Sequence, residues 1–143
     1  GWLGRNAGLG WYVYEDDKLI GPNPSVSPLI EDEAARHGIS RRELSDKAVL
    51  QTLMLALINE AANILDEGIA RSASDIDLVL VHGYGFPRFR GGPLHYADQL
   101  GIQRVREGLE ILNKGDSLIW RISPLILKLA DTNSSFGDGR RGS

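Results

Sequence analysis

The chain has 143 residues, the usual size of one domain, and a hydrophobic content of 42% that suffices for a folded core and excludes a disordered protein. A net charge of −3 gives no reason to expect binding to nucleic acid or an anionic membrane. The absence of cysteine excludes disulfides, thiol catalysis and cysteine zinc sites. Apolar runs too short for a membrane span, and the lack of a signal-peptide pattern, predict a cytoplasmic protein.

The first segment, residues 1–24, is rich in glycine, aromatic residues and proline. Its glycines fit neither the G-x-G-x-x-G pattern of dinucleotide-binding folds nor a P-loop. We therefore expect a surface linker segment that lays its aromatic side chains on a helical body, namely Trp11, Tyr12 and Tyr14.

The first predicted helix starts at Pro28, is capped by Ser27 and ends near Gly38, with Leu29 and Ile30 facing the core. Residues 39–44 are expected to form a short extended link. The next helix then begins at Ser45, although Ser40 is an alternative start because Glu43 would complete a capping box there.

The long helix that follows Ser45 carries the strongest period in the sequence and ends at Gly68. Its apolar positions recur at the spacing of one helical face: Leu50, Leu53, Met54, Leu57, Ala61, Ile64 and Leu65. Asn59 and Glu60 are predicted to be hydrogen-bond partners between helices or at a cap, because polar groups in a helical core must be satisfied.

The segment 75–82 fits either a buried strand or a helical face, and Ser74 with Asp77 resembles a capping box that favours the helix. Three further helices are predicted at 93–100, at 102–113 and from Ser123–Pro124 to about Ala130. No sheet is expected. The polar, glycine-rich residues 132–143 are expected to be a flexible tail.

The loop between residues 83 and 93 combines four glycines with two prolines and two arginines, and it cannot be regular structure. Its candidate binding residues are Arg88, Arg90, Gly91 and Gly92. They could hold an anion through guanidinium and backbone N–H groups, or they could contact another domain. No catalytic, cofactor-binding or metal-binding residue is predicted, and His82 is expected to be partly buried and hydrogen-bonded.

Three stretches carry a resemblance to a known family: LINEAANILDEGIA (57–70), SDIDLVLVHGYGFPRFRGGP (74–93) and GRNAGLGWY (4–12). They resemble the C-terminal domains of 3-hydroxyacyl-CoA dehydrogenases, and most closely the last domain of multifunctional fatty-acid β-oxidation enzymes. The resemblance implies an all-α fold, a bundle of five to six helices of the 6-phosphogluconate/3-hydroxyacyl-CoA dehydrogenase C-terminal domain type. The helical domain would occupy residues 25–131.

The resemblance also implies a function that this chain would not perform alone. The parent enzyme would oxidise a 3-hydroxyacyl-CoA with NAD, but the dinucleotide-binding glycines and the catalytic His–Glu pair belong to a preceding domain. We expect this chain to be an inactive, supporting piece of a longer polypeptide that packs on the nicotinamide-binding and helical domains, and that dimerises when isolated. The alternative is a freestanding helical acyl-CoA-binding or protein-interaction module.

Overall fold

A computed structural model describes residues 3–41 and 43–140 of the chain. The chain divides into two compact units, Gly1–Leu44 and Ser45–Ser143. The first unit contains a β-hairpin and one α-helix, and the second contains five α-helices. The six α-helices within the described ranges confirm the predicted all-α bundle, to which the two short strands are a minor addition.

The hairpin corrects the expectation that the chain contains no sheet. Strand β1 (Tyr12–Glu15) pairs antiparallel with strand β2 (Lys18–Pro22). The turn between them places Asp16 and Asp17 at φ 48° and 63°, the left-handed conformations of a tight hairpin turn, which aspartate tolerates better than most residues. The predicted linker segment 1–24 therefore includes regular structure.

Helix α1 (Val26–Arg36) starts two residues before the predicted Pro28, and its N-cap position is Ser25 instead of Ser27. Pro28 is compatible with this start because the first helical turn needs no N–H partner. The expectation that Leu29 and Ile30 face a core is wrong. Helix α1 has no buried residue, and the Leu29 side chain is 55% exposed.

The second unit contains α2 (Asp46–Asp66), α3 (Ala73–Gly83), α4 (Pro93–Leu100), α5 (Ile102–Gly115) and α6 (Pro124–Thr132). Ser45 is the N-cap of α2, where its Oγ accepts a hydrogen bond from the Ala48 N–H at 3.2 Å. This confirms the Ser45 start over Ser40. Gly68 follows the end of α2 at φ 70°, as predicted for a terminating glycine.

One hydrophobic core joins the five helices of the second unit. Its fully buried side chains are Ile58 and Ala62 from α2, Leu94 and Ala97 from α4, Val105 and Leu109 from α5, and Ile126 from α6. Helix α3 contributes Ile76, which is slightly more exposed. The apolar spacing of residues 102–113 predicts Val105, Leu109 and Leu112 as inward positions; the first two are fully buried and Leu112 packs on the core half-buried. Alternating sizes at these positions let the short helices pack closely around α2.

Helix α2 corrects the expectation that every apolar run is too short for a membrane span, because its length and its mean hydropathy of 1.5 over an 18-residue window would allow one. A core helix passes the same test, and α2 does form the centre of the bundle. Only 28% of that window is buried within the structure, however. Much of the apolar surface of α2 is therefore uncovered.

The end of the chain is not a flexible tail as far as residue 138. Phe136 lies in the core, and the Asp98 carboxylate accepts hydrogen bonds from the Phe136 and Gly137 N–H groups at 2.9 and 3.0 Å. This docking fixes a short 3-10 helix (Phe136–Arg140) on α4. The part of the predicted tail at 141–143 lies outside the described residues.

Asn59 on α2 makes the hydrogen bonds predicted for it, and its partners lie more than 60 residues away. Its Nδ2 donates to the Arg121 carbonyl at 2.9 Å, and its Oδ1 accepts from the Ser123 N–H at 2.9 Å. These bonds hold the start of α6 against α2. Glu60, predicted to act similarly, is exposed.

Replacing Asn59 with alanine should leave two backbone groups at the start of α6 without partners. We expect Asn59→Ala to lower the free energy of unfolding by about 2–4 kcal/mol, measured by urea denaturation. The control is Ser123→Ala. The buried Ser123 Oγ has no hydrogen-bond partner among the described residues, so its removal should change stability by less than about 1 kcal/mol. Equal losses in the two variants would contradict the role of Asn59.

Candidate functional site

The candidate loop connects α3 to α4, and the core anchors it at its beginning. Phe86 is buried, and its N–H donates to the Leu80 carbonyl at 3.0 Å. The chain then turns through a short 3-10 helix (Arg88–Arg90) and reaches Gly91 and Gly92 at the start of α4. This turn corrects the expectation that the loop contains no regular structure. The four predicted binding residues therefore lie together, between a buried phenylalanine and a helix N-terminus.

Asp77 anchors the other end of the loop, and its position corrects the predicted cap of α3. The N-cap of α3 is Ser72, not Ser74, and its Oγ accepts from the Asp75 N–H at 3.2 Å. Asp77 takes no part in the cap of α3, and its carboxylate is directed at α4. Its two carboxylate oxygens accept hydrogen bonds from the Leu94 and His95 N–H groups at 2.8 and 3.0 Å. A side chain of α3 thus caps α4.

Glycine at position 92 is required by the approach of Asp77, whereas an added Cβ atom on Gly91 would meet the His95 ring. Gly91 and Gly92 have φ values of 73° and 117°, which L side chains rarely adopt. A Cβ atom on Gly92 would lie 2.3 Å from both the Cβ and the Cγ of Asp77. The glycines thus serve packing and backbone geometry, and Pro93 begins α4 as predicted.

Burial raises the pKa of Asp77 above its ordinary value, while the hydrogen bonds from the Leu94 and His95 N–H groups partly offset that rise. The charge on His95 lowers the Asp77 pKa further, and the neighbouring Asp98 carboxylate raises it. A buried carboxylate with this environment is held in place by backbone donors instead of a cation. It is a structural cap, because both of its oxygens are already used.

The two arginines of the loop make different contacts. The Cζ atom of Arg90 lies 4.4 Å from the Tyr96 ring centroid and 5.4 Å from that of Phe89, which is cation–π geometry. Arg88 is exposed. Neither arginine forms an ion pair with a carboxylate among the described residues. Their predicted anion or domain contact therefore stays a prediction.

The histidines offer no catalytic or metal constellation in the described ranges. His82 is exposed, which corrects the expectation that it is partly buried. His95 bonds to Gln99 and His37 to Glu33, each one turn apart on its own helix. Within residues 3–41 and 43–140, no group of three His, Asp or Glu side chains could hold a metal ion.

Two cavities flank α3 in the second unit. The first, of about 480 Å³, is lined by both polar and apolar groups, including Ser72, Asp77, Asp98 and Leu129. The second, of about 570 Å³, is an almost wholly apolar groove between α2 and α3. Its principal lining residues are Leu57, Ile64, Ile69, Ile76, Val79 and Tyr84. Sequence reasoning found the stripe on α2 but not the groove it forms with α3.

Comparison with known proteins identifies this helical bundle. Residues 49–138 match the family described as 3-hydroxyacyl-CoA dehydrogenase, C-terminal domain. That range covers nearly all of the second unit, with its capped loop and core. The chain belongs to this family.

Similar proteins include much longer enzymes. The peroxisomal bifunctional enzyme of Danio rerio is 38% identical over 94% of this chain and 19% of its own length. The corresponding human enzyme is 42% identical over 77% of the chain and 16% of its length. The fatty acid oxidation complex subunit alpha of Pseudomonas syringae pv. tomato is 38% identical over 70% of this chain and 14% of its own length. The chain thus spans less than a fifth of these relatives.

The steric constraint at Gly92 can be measured against a second glycine of similar backbone conformation. Gly101 precedes α5 at φ 88°, and a Cβ atom there would meet nothing within 4 Å. We expect Gly101→Ala to cost about 1–2 kcal/mol of unfolding free energy through backbone strain alone. Gly92→Ala should cost at least about 3 kcal/mol, because it also displaces Asp77. Similar losses of unfolding free energy in the two variants, measured by urea denaturation, would contradict the steric constraint at Gly92.

The cap itself can be tested at Asp77. We expect Asp77→Ala to lower the free energy of unfolding by about 2–4 kcal/mol, since the Leu94 and His95 N–H groups lose their acceptor. Asp77→Asn keeps one carbonyl oxygen for the Leu94 N–H and should lose less. Thermal and urea denaturation would report both variants. An Asp77→Asn variant less stable than Asp77→Ala would show that the oxygen acceptors are not the source of stability.

Proposed function

We propose that this chain is a supporting domain of an NAD-dependent 3-hydroxyacyl-CoA dehydrogenase of fatty-acid β-oxidation. It would hold the catalytic domains in place through an uncovered apolar helix face. The family of the chain and the names of its relatives support this role. Because the chain spans a small part of those relatives, the activity, the acyl-CoA substrate and the NAD cofactor belong to the proposed parent enzyme.

One observation carries the proposal: the uncovered apolar face of α2 and α3. Leu53 on α2 and Val79 on α3 are each 57% exposed, and the apolar groove lies between the two helices. Leaving such a face in water is unfavourable by about 25 cal/mol for each Å². A contiguous apolar surface of this kind marks an interaction site.

The proposed occupant of this face is the preceding helical domain of the same enzyme, next to its nicotinamide-binding domain. Helix α2 carries polar side chains along its length, including Gln51, Asn63 and Asp66, which suit a protein interface better than lipid. The comparisons do not favour a freestanding acyl-CoA-binding or interaction module, because the relatives are long multifunctional enzymes.

The compartment is part of the same proposal. The names of relatives include peroxisomal and glyoxysomal enzymes as well as a bacterial oxidation complex. We infer that the parent enzyme works where fatty acids are oxidised, which is the cytoplasm in a bacterial host and an organelle of peroxisomal type in a eukaryotic one.

The supporting role predicts that a charge on the uncovered face uncouples the domains. In the full-length enzyme, Leu53→Glu should lower the NADH-dependent reduction of acetoacetyl-CoA by about tenfold or more, because a carboxylate would be buried at the interface. The matched control is Ile111→Glu, since Ile111 is 70% exposed and lies on α5, outside the face of α2 and α3. Equal activity of the two variants would contradict the proposed face.

The isolated chain provides a second readout of the same face. It should show no turnover of acetoacetyl-CoA with NADH, and we propose that it self-associates through the uncovered surface. Light scattering should then give a dimer that Leu53→Glu, but not Ile111→Glu, converts to a monomer. A wild-type monomer at high concentration would contradict the dimer, and turnover would contradict the supporting role.

A further inference from the structure

The loop at Pro87–Arg90 has properties that the supporting role does not use. It projects from the second unit between two fixed ends, the buried Phe86 and the start of α4, which Asp77 caps. Two backbone hydrogen bonds stabilise the turn of the loop. The Arg90 N–H donates to the Pro87 carbonyl at 2.9 Å, and the Gly91 N–H donates to the Arg88 carbonyl at 3.1 Å. The side chains at its tip are therefore presented from a rigid base.

Those side chains are the aromatic ring of Phe89 and the guanidinium groups of Arg88 and Arg90, its neighbours in the sequence. Phe89 is 84% exposed, although the burial of such a ring would be worth about 1.5–3 kcal/mol. Arg90 stacks on Tyr96 and Phe89, which holds its guanidinium in one place, and it forms no ion pair with a carboxylate in the described part of the chain. Rigid aromatic and arginine side chains are the residue types that dominate protein interfaces.

The charge around the loop is opposite to that of the chain. No Asp or Glu occurs between Asp77 and Asp98, a span that includes Arg88 and Arg90, whereas the whole chain has a net charge of −3. The two bounding carboxylates are already engaged with backbone N–H groups, Asp77 at α4 and Asp98 at Phe136. The loop is thus a local positive surface without an internal counter-charge.

The shape of the loop selects the kind of partner. Small ligands bind in concave sites that cover most of their surface. Neither Arg88 nor Phe89 lines the two cavities that flank α3, and both are exposed. A projecting, aromatic and cationic tip fits a protein surface better than a free anion.

We propose that the Pro87–Arg90 loop is a docking site for an acidic segment of a protein partner, with carboxylates for Arg88 and Arg90 beside an apolar side chain for Phe89. This contact is separate from the apolar face of α2 and α3. It does not depend on the dehydrogenase assignment, because it follows from the charge, rigidity and exposure of the loop.

A peptide array tests this docking with the whole chain. Immobilised ten-residue peptides are made in matched pairs, one with two carboxylates beside a Leu or Phe and the other with Asn and Gln in their place. The carboxylate member of each pair should bind more strongly, and binding should weaken as salt is raised. Equal binding of the two members, or no binding to either, would overturn the proposal.

Loop variants assign the binding to this site. Arg88→Ala and Phe89→Ala should each weaken binding by about tenfold, the loss typical of an interface hot spot. Arg104→Ala is the control, since Arg104 is also exposed and forms no ion pair among the described residues. Both loop side chains are exposed, so the variants should unfold at the wild-type temperature. A loss no larger than that of Arg104→Ala would overturn the proposal.

Two further measurements separate the acidic segment from other occupants. Inorganic phosphate and coenzyme A should not compete with the bound peptide at concentrations that leave the ionic strength unchanged. Competition that is abolished by Arg88→Ala would identify an anion site instead and overturn the proposal. Self-association of the chain that depends on Phe89 would identify a second copy as the occupant and would also overturn it.

Discussion

The structure of the helical unit depends on one buried carboxylate. Asp77 on α3 caps α4 by accepting hydrogen bonds from the Leu94 and His95 N–H groups, and this contact requires a backbone without a side chain at Gly92. The cap fixes the angle at which the chain enters α4. It thereby aligns Leu94 and Ala97 with the core and determines where the exposed loop projects.

The same device recurs along the unit, which explains how short helices form a stable bundle. Asn59 on α2 holds the start of α6, and Asp98 on α4 holds the 3-10 helix that contains Phe136. In each case a side chain on one helix satisfies N–H groups at the start of another, groups that a helix cannot satisfy internally. Tertiary contacts of this kind replace local caps at α4 and α6, whose N-cap residues, Gly92 and Ser123, form no side-chain capping hydrogen bond among the described residues.

The bundle has two surfaces of different character. The face of α2 and α3 is mostly apolar, with Glu60, Arg71 and Asp75 also lining its groove, as expected for a permanent contact within a longer enzyme. The Pro87–Arg90 loop is small, cationic and rigid, as expected for a contact that selects its partner by charge. A supporting domain with both surfaces could hold its own enzyme together and also bind a second protein.

The sequence alone determined the helices, since the period of α2, the Ser45 cap, Gly68 and Pro93 are local signals whose physics acts within a few residues. The loop between residues 83 and 93 also carried much of the resemblance to the family. Only the tertiary structure decided the roles of Asp77, Asn59 and Asp98, whose partners lie up to 64 residues away, and the exposure of Leu29 and His82. Burial and capping between helices depend on which segments meet in space, and periodicity along one segment carries no information about that meeting.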